Sequence, residues 1–291
     1  MRMWHSYAQP TSVEQALRTL SEAHGQAAII AGGTDLLLDI DQGRREAPEL
    51  LVDVGGIEEM CQIRLEQDHI FLGAAVTHNA ITRSALLQEH AACLVEGCAL
   101  IGGPQVRNVA TIGGNVAHAL PAGDGTIGLL ALDAQVLIAG PSGQAWKPLA
   151  EIFAGPGKTT FDRSREFLVG FRLPRGETNA SSAFLRIMRP QGVAIAILNM
   201  AVWLRQSPGG VLENVRIAAG PGGPVPFRAY ATETALIGRR LDSEAVTDAA
   251  AVLLNEIKLR TSKHRATSAY RQHLAGILLE RTLHAALGKL A

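Results

Sequence analysis

The sequence predicts a chain of mixed helices and strands that fills two domains or one large one. Three observations carry that reading. At 291 residues and 47% hydrophobic content, the chain can bury a substantial core. Helix-period apolar stripes and short strand-like runs both recur from end to end. One polar segment, Arg175-Gly-Glu-Thr-Asn-Ala-Ser-Ser182, interrupts them as a candidate domain boundary.

Near the start, Ser12 followed three residues later by Gln15 is a helix-capping pattern. Val13, Ala16, Leu17 and Leu20 then supply an apolar stripe. Ala27 to Ala31 reads as a buried strand that stops at Gly32-Gly33-Thr34-Asp35, and Leu36 to Ile40 as a short helix, with Thr34 placed to cap it. Further strands are expected at 51–54 and 70–76. Thr77 opens a helix, and residues 84–100 form another. After a Gly-rich stretch, 128–133 reads as helix, 134–139 as strand with a turn at 140–143, and 167–173 as strand. Beyond the polar segment, strand-like runs cover 194–204 and 215–219. Helical patterns follow near 230–237, 243–257 and 267–288. There is no internal repeat.

Two stretches carry the chemistry. The first is Gly32-Gly33-Thr34-Asp35; the second runs from Ile101 through Thr111-Ile-Gly-Gly-Asn115 to Asp124. Glycine permits positive φ and removes the Cβ that keeps a ligand away from peptide N–H groups. Consecutive N–H groups facing one concavity bind phosphate. Thr111 and Asn115 can add side-chain hydrogen bonds. Taken singly, either stretch also reads as a pair of tight turns.

Other chemistries lack support. Lys plus Arg and Asp plus Glu balance at 27 each, and aromatics are 4%, which argues against nucleic acid and anionic membranes as partners. The N-terminus lacks the apolar region of a signal peptide, and no apolar run reaches membrane-spanning length, so a cytoplasmic location is expected. Cys61, Cys93 and Cys98 fit neither a disulfide framework nor metal spacing and read as buried thiols. Histidines such as His78 and His118 lack partners at ligand spacing and read as core or solvated side chains. Gly123-Asp-Gly125-Thr-Ile-Gly128 matches a dinucleotide fingerprint but follows a Pro-containing segment that makes a poor strand. Gly157-Lys158-Thr159 ends like a P-loop, yet the first glycine would fall at Ile152. No G-x-S-x-G elbow is present. Two phosphate-type loops without acid–base machinery suit a protein gripping a large two-phosphate cofactor that performs the chemistry itself.

Ala31-Gly-Gly-Thr-Asp35 and Thr111-Ile-Gly-Gly-Asn115 together resemble the FAD-binding loops of the flavin subunit of molybdenum hydroxylases, of xanthine dehydrogenase and carbon monoxide dehydrogenase type. Gly103 to Ala110, Phe153 to Thr159 and Ser268-Ala-Tyr270-Arg271 extend the resemblance over nearly the whole chain. It implies an α+β fold: a vanillyl-alcohol-oxidase type FAD domain of two α+β subdomains over 1–176. A C-terminal domain of a small antiparallel sheet and helices follows over 180–288. Carried over by position, Ile29, Ile30, Ala31, Gly32, Gly33, Thr34, Asp35 and Leu36 form the first loop. Thr111, Gly113, Gly114 and Asn115 form the second. Asp124 holds the polar chain of the cofactor, Ile101 lies near the isoalloxazine and Leu168 near the adenine half. Arg186 stands where the family usually has Lys, and its fork geometry differs. Leu120-Pro-Ala-Gly replaces the commoner Ser-Pro-containing stretch.

The same resemblance implies an oxidoreductase subunit, active in a heterotrimer. A molybdopterin-binding large subunit would oxidise the substrate, and a [2Fe-2S] small subunit would relay electrons to FAD, with NAD or another acceptor beyond. Two alternatives remain: a free-standing NAD-dependent dehydrogenase built on Gly123 to Gly128, and a flavin-free scaffold of the same fold.

Overall fold

A computed structural model of the chain describes residues 3–190, 194–263 and 265–290. The chain begins with β1 (Ser6–Ala8), α1 (Val13–Glu22), β2 (Ala27–Ile30), α2 (Leu36–Asp41) and β3 (Leu50–Asp53). The strands form a parallel sheet in the order β1-β3-β2. The start of α1 is fixed locally. Ser12 Oγ accepts the Gln15 N–H at 3.1 Å, and the Gln15 side chain accepts the Thr11 N–H at 2.7 Å. Val13, Ala16 and Leu20 are buried, as their spacing requires.

Next come β4 (Ile63–Glu66) and β5 (His69–Gly73). A run of helices follows: α3 (His78–Arg83), α4 (Ala85–His90), α5 (Ala92–Ala99), α6 (Pro104–Arg107), α7 (Ile112–Ala117) and α8 (Asp124–Ala131). Then β6 (Gln135–Gly140), β7 (Gly143–Pro148), the small hairpin β8 (Phe153–Gly155) and β9 (Lys158–Thr159), and β10 (Phe167–Pro174) complete this half. An antiparallel sheet runs β4-β5-β10-β6-β7.

In the last third, β11 (Ala180–Ile187), β12 (Leu198–Gln206), β13 (Leu212–Gly220) and β14 (Phe227–Arg228) pair antiparallel in chain order. They precede α9 (Tyr230–Leu236), α10 (Ser243–Glu256) and α11 (Ser268–Leu287). Side-chain alternation gives this sheet two apolar faces. Phe184, Ala201, Trp203 and Ala218 join the core of the first half, against α5 and α8. Ala183, Met200, Val202 and Ile217 join a second core with α10 and α11. Burial on both faces explains why these strands read as continuous apolar runs.

Several expectations change. The helix expected over 84–100 is two, broken at Ala91 (φ −141°, ψ 43°). The Gly-rich stretch is not loop throughout: α6 and α7 lie within it, and α7 contains the second Gly-Gly pair. Strand β12 starts at Leu198; Ala194–Ile197 precede it without strand pairing, and 191–193 lie outside the described residues. The polar segment at 175–182 ends inside β11, which starts at Ala180. Strands β1, β4, β7 and β11 carried no strand signal, being short or largely polar. Cys93 and Cys98 are buried, and burial pushes the Cys93 thiol up to about 12, but Cys61 is exposed. Among the described residues, no helix is long and apolar enough to cross a membrane.

Candidate functional site

A cavity of about 710 Å³ opens where the parallel sheet, helices α6 to α8 and the C-terminal sheet meet. Every residue singled out from the sequence lines it. Ile29, Ile30, Ala31, Gly32, Gly33, Thr34, Asp35 and Leu36 form one wall; Thr111, Gly113, Gly114, Asn115 and Asp124 another; Ile101, Leu168 and Arg186 contribute from separate elements.

The two Gly-Gly pairs do different work. At the first, the chain leaves β2 and turns through Gly33 at φ +69°. A Cβ on Gly32 would fall on the Val109 carbonyl and 2.8 Å from the Ala110 Cα. Within the described residues, no protein group accepts the N–H of Gly32, Gly33, Thr34 or Asp35. These donors therefore remain for an anion. Thr34 does not cap α2; Asp35 takes that position and makes no side-chain cap bond. Its carboxylate instead faces His118 Nδ1 at 3.3 Å.

At the second pair the donors are used internally. Gly113 N–H goes to the Ala74 carbonyl at 2.8 Å, and Gly114 N–H to Thr111 Oγ at 3.1 Å. Gly113 is glycine for packing, since a Cβ would come within 2.6 Å of Ala74. Gly114 is exposed, and a Cβ there would meet only Thr111 Oγ, at 3.1 Å. The second loop thus supplies a bare backbone surface rather than a nest of free N–H groups. Asn115 Oδ1 accepts from Thr126 N–H and Oγ, both at 3.0 Å, and so ties α7 to the start of α8.

Ile101 is held by Arg107, which donates to the Ile101 and Gly102 carbonyls at 3.1 and 2.8 Å. Leu168 sits at the irregularity in the β10–β6 pairing. Asp124 is 6% exposed. Burial raises its pKa, while Arg186 and Asn199 oppose that shift. Arg186 Nη1 donates to Asp124 Oδ2 at 2.5 Å and Asn199 Nδ2 to Oδ1 at 2.6 Å. Arg186 lines the cavity, and its Nε is buried without a partner among the described residues.

Several lining residues escaped sequence reading. His78 is 1% exposed, with Nδ1 unpartnered among the described residues, and burial drives its pKa down to about 4. His118 is raised by its hydrogen bond to Asp35, and Asp39 also lies 3.8 Å from it. Arg45, Arg163, Arg260, Arg265 and Arg271 join Arg186 in the wall, so six arginines face four carboxylates, Asp35, Asp39, Asp124 and Glu166. A chain with no net charge thereby presents a positive cavity. One signal was legible: from Lys258 to Arg271 the sequence has five Lys or Arg residues and no acid.

The dinucleotide reading of Gly123 to Gly128 loses its geometry. No strand precedes it, and Gly128 is glycine because α8 packs on α5, where a Cβ would meet the Leu94 Cα at 2.9 Å.

An α+β fold with a cleft lined by unclaimed backbone N–H groups and arginines is of a class suited to an anionic cofactor. Comparison with known proteins makes this specific. Residues 2–176 match the family model described as FAD binding domain in molybdopterin dehydrogenase, and residues 183–286 match the CO dehydrogenase flavoprotein C-terminal domain. The carbon monoxide dehydrogenase medium chain of Hydrogenophaga pseudoflava is 31% identical over 98% of both chains. The nicotinate dehydrogenase FAD-subunit of Eubacterium barkeri is 28% identical over 88% of this chain and 90% of that one. A solved structure of the Hydrogenophaga pseudoflava enzyme, lacking the Mo-pyranopterin moiety of its molybdenum cofactor, superposes with a TM-score of 0.92 over 98% of both chains at 31% identity. The chain belongs to the FAD-binding subunits of molybdenum hydroxylases, and its fold is the α+β arrangement that the resemblance implied.

Proposed function

We propose that this cavity holds FAD and that the chain passes electrons from the iron–sulfur clusters of a partner, through the flavin, to NAD or another acceptor. The observation that carries the reading is the Gly32–Asp35 turn. Its four N–H groups are unclaimed among the described residues and belong to a cavity wall that Arg45 and Arg163 also line. A diphosphate fits that donor set, and the volume lies within the ordinary range of ligand sites, about 300–1,000 Å³. The unpartnered Arg186 Nε and His78 Nδ1 are further polar atoms that a bound ligand would satisfy. Bound flavin would supply the capacity to accept electrons singly and release them as a pair.

The chain's own residues do the holding. Ile29 to Leu36 and Thr111, Gly113, Gly114 and Asn115 let the cofactor approach the backbone. Asp124, fixed by Arg186 and Asn199, presents a carboxylate toward its polar chain, and Ile101 and Leu168 give apolar surface at the ring and adenine ends. Residues 1–176 act as the FAD domain and 180–288 as the C-terminal domain. Partners are a molybdopterin-binding large subunit and a [2Fe-2S] small subunit, and the complex acts in the cytoplasm. The medium-chain and FAD-subunit names of the relatives support that assembly. Ile195, 56% exposed on the cavity wall, and Val106 and Leu120 give the rim an apolar character suited to a partner.

The test is purification of the chain alone and with its candidate partner subunits. Alone it should carry flavin absorbing near about 450 nm and oxidise no purine, aldehyde or N-heterocycle. With the partners it should co-purify, and substrate should bleach the flavin. A folded protein that takes up no FAD overturns the reading in favour of a flavin-free scaffold.

A further inference from the structure

The cavity holds two separate groups of positive charge, and one FAD diphosphate accounts for only one. Near the Gly32–Asp35 turn stand His118, Arg163 and Arg45: Arg163 influences His118, and Arg45 influences Arg163. The second group is Arg260, Arg265 and Arg271, whose charged neighbours are one another. It belongs to the other half of the molecule, in the segment between α10 and the first turn of α11.

This second group is a built site. Arg271 is 2% exposed and lines the cavity, and among the described residues its Nε has no hydrogen-bond partner. A buried guanidinium is ordinarily matched by a carboxylate. Here none of the three arginines makes an ion pair among the described residues, although four carboxylates line other parts of the cavity. Burial, and after it Arg265 and Arg260, both exposed at the same wall, push the Arg271 guanidinium below the usual arginine range. The backbone that presents them is fastened down. Lys258 N–H donates to the Gly222 carbonyl at 2.8 Å, Ser268 Oγ to the Leu259 carbonyl at 2.8 Å, and Ser262 N–H to the Ala266 carbonyl at 2.9 Å. Three neighbouring like charges, none of them ion-paired among the described residues, form an anion site, and guanidinium forks match phosphate oxygens in pairs.

We propose that Arg260, Arg265 and Arg271, with Ser262, form a subsite for the diphosphate of a nucleotide electron acceptor, at the C-terminal wall of the cavity. The acceptor assignment rests on the flavin function proposed above; the anion site itself does not. Ser262 lines the same wall and adds a hydroxyl, with Arg271 buried there and Arg260 and Arg265 exposed.

The test is calorimetric titration of FAD-loaded protein with inorganic pyrophosphate and, separately, with ADP-ribose, which carries the diphosphate but no nicotinamide. Both should bind the wild type. Arg260→Gln and Arg265→Gln lie at exposed positions and should each weaken both ligands by about tenfold, with the flavin-to-protein ratio unchanged. Tighter binding of ADP-ribose than of pyrophosphate assigns the site to a nucleotide; the reverse overturns the acceptor assignment and leaves a free-anion site. Affinities within about twofold of wild type in both variants overturn the proposal. So does pyrophosphate binding that appears only after FAD is stripped, because the arginines then belong to the flavin. A wild type that takes up no FAD but loses pyrophosphate affinity in Arg265→Gln sinks the flavin function and keeps the anion site.

Discussion

Arg186 on β11 and Asp124 at the start of α8 form an ion pair at 2.5 Å, with only 6% and 7% of their side chains exposed. Both were singled out from the sequence as separate ligand contacts, yet each is also the other's counter-charge. Asn199 on β12 completes the group by donating to the second Asp124 oxygen. The pair therefore joins the two halves at the floor of the cavity. Breaking one side should be expensive. Arg186→Met leaves a buried carboxylate uncompensated and should cost about 3–5 kcal/mol, whereas Arg186→Met combined with Asp124→Leu should recover much of that. Urea denaturation of the single and double variants checks the difference; equal losses would mean that the pair is not coupled.

Gly114→Val should abolish flavin retention while the protein stays folded. The position is exposed, and an added Cβ meets only the Thr111 hydroxyl. The extra bulk therefore projects into the cavity, and flavin content should fall by about tenfold or more. Gly33→Val is a less clean probe. Gly33 has φ +69°, and its Cβ would come within 3.0 Å of the Ile30 side chain, so strain of about 1–3 kcal/mol accompanies any loss of ligand. Flavin absorbance beside far-UV circular dichroism separates the two cases. Full flavin content in a folded Gly114→Val protein would remove the second loop from the site.

Gly128→Ala should lower stability without touching nucleotide binding. The methyl group would press on the Leu94 backbone and force α5 and α8 apart, costing about 1–3 kcal/mol. Thermal melting reports the loss, and nicotinamide-dinucleotide affinity should match wild type. A selective loss of that affinity at unchanged stability would revive the dinucleotide fingerprint.

The Asp35–His118 contact links the first loop to the end of α7, and it sets a pH window. Its hydrogen bond lowers Asp35 below 3.8 and raises His118 above 6.5. The Asp35 contribution is present above the usual carboxylate range and lost as pH falls through the lowered value. The His118 contribution is fully present below 6.5 and lost as pH rises through the raised value. Wild-type stability should therefore decline on the alkaline side, as pH rises above 6.5 and through the raised value, and His118→Gln should flatten that decline. Both side chains are partly exposed, so the effect should also shrink in high salt. A slope unchanged by the substitution would show that another group sets it.

At the acid end, His78 works in the opposite sense. Its pKa near 4 in the folded chain means that unfolding takes up a proton between 6.5 and that value. Stability should fall over this range, and His78→Leu should reduce the fall, measurable as a shift of the urea midpoint with pH.

Sequence alone determined the elements whose cause is local. The Ser12 and Thr77 caps, the stripe of α1 and the long helix from Ser268 follow from hydrogen bonds and spacings within a few residues. So does the pairing of two glycine turns in the order that identifies the family. What only the tertiary structure decided is which donors and charges are left over. Gly113 and Gly114 read like Gly32 and Gly33, but Ala74 and Thr111 take their N–H groups. Arg186 meets Asp124 across 62 positions, and the arginines of the acid-free segment reach the cavity from between α10 and α11, which pack on each other with α11 against β11 and β12. A pattern along the chain reports the hydrogen-bonding capacity of each group. Whether that capacity is spent inside the protein or kept for a ligand depends on residues that folding brings from elsewhere.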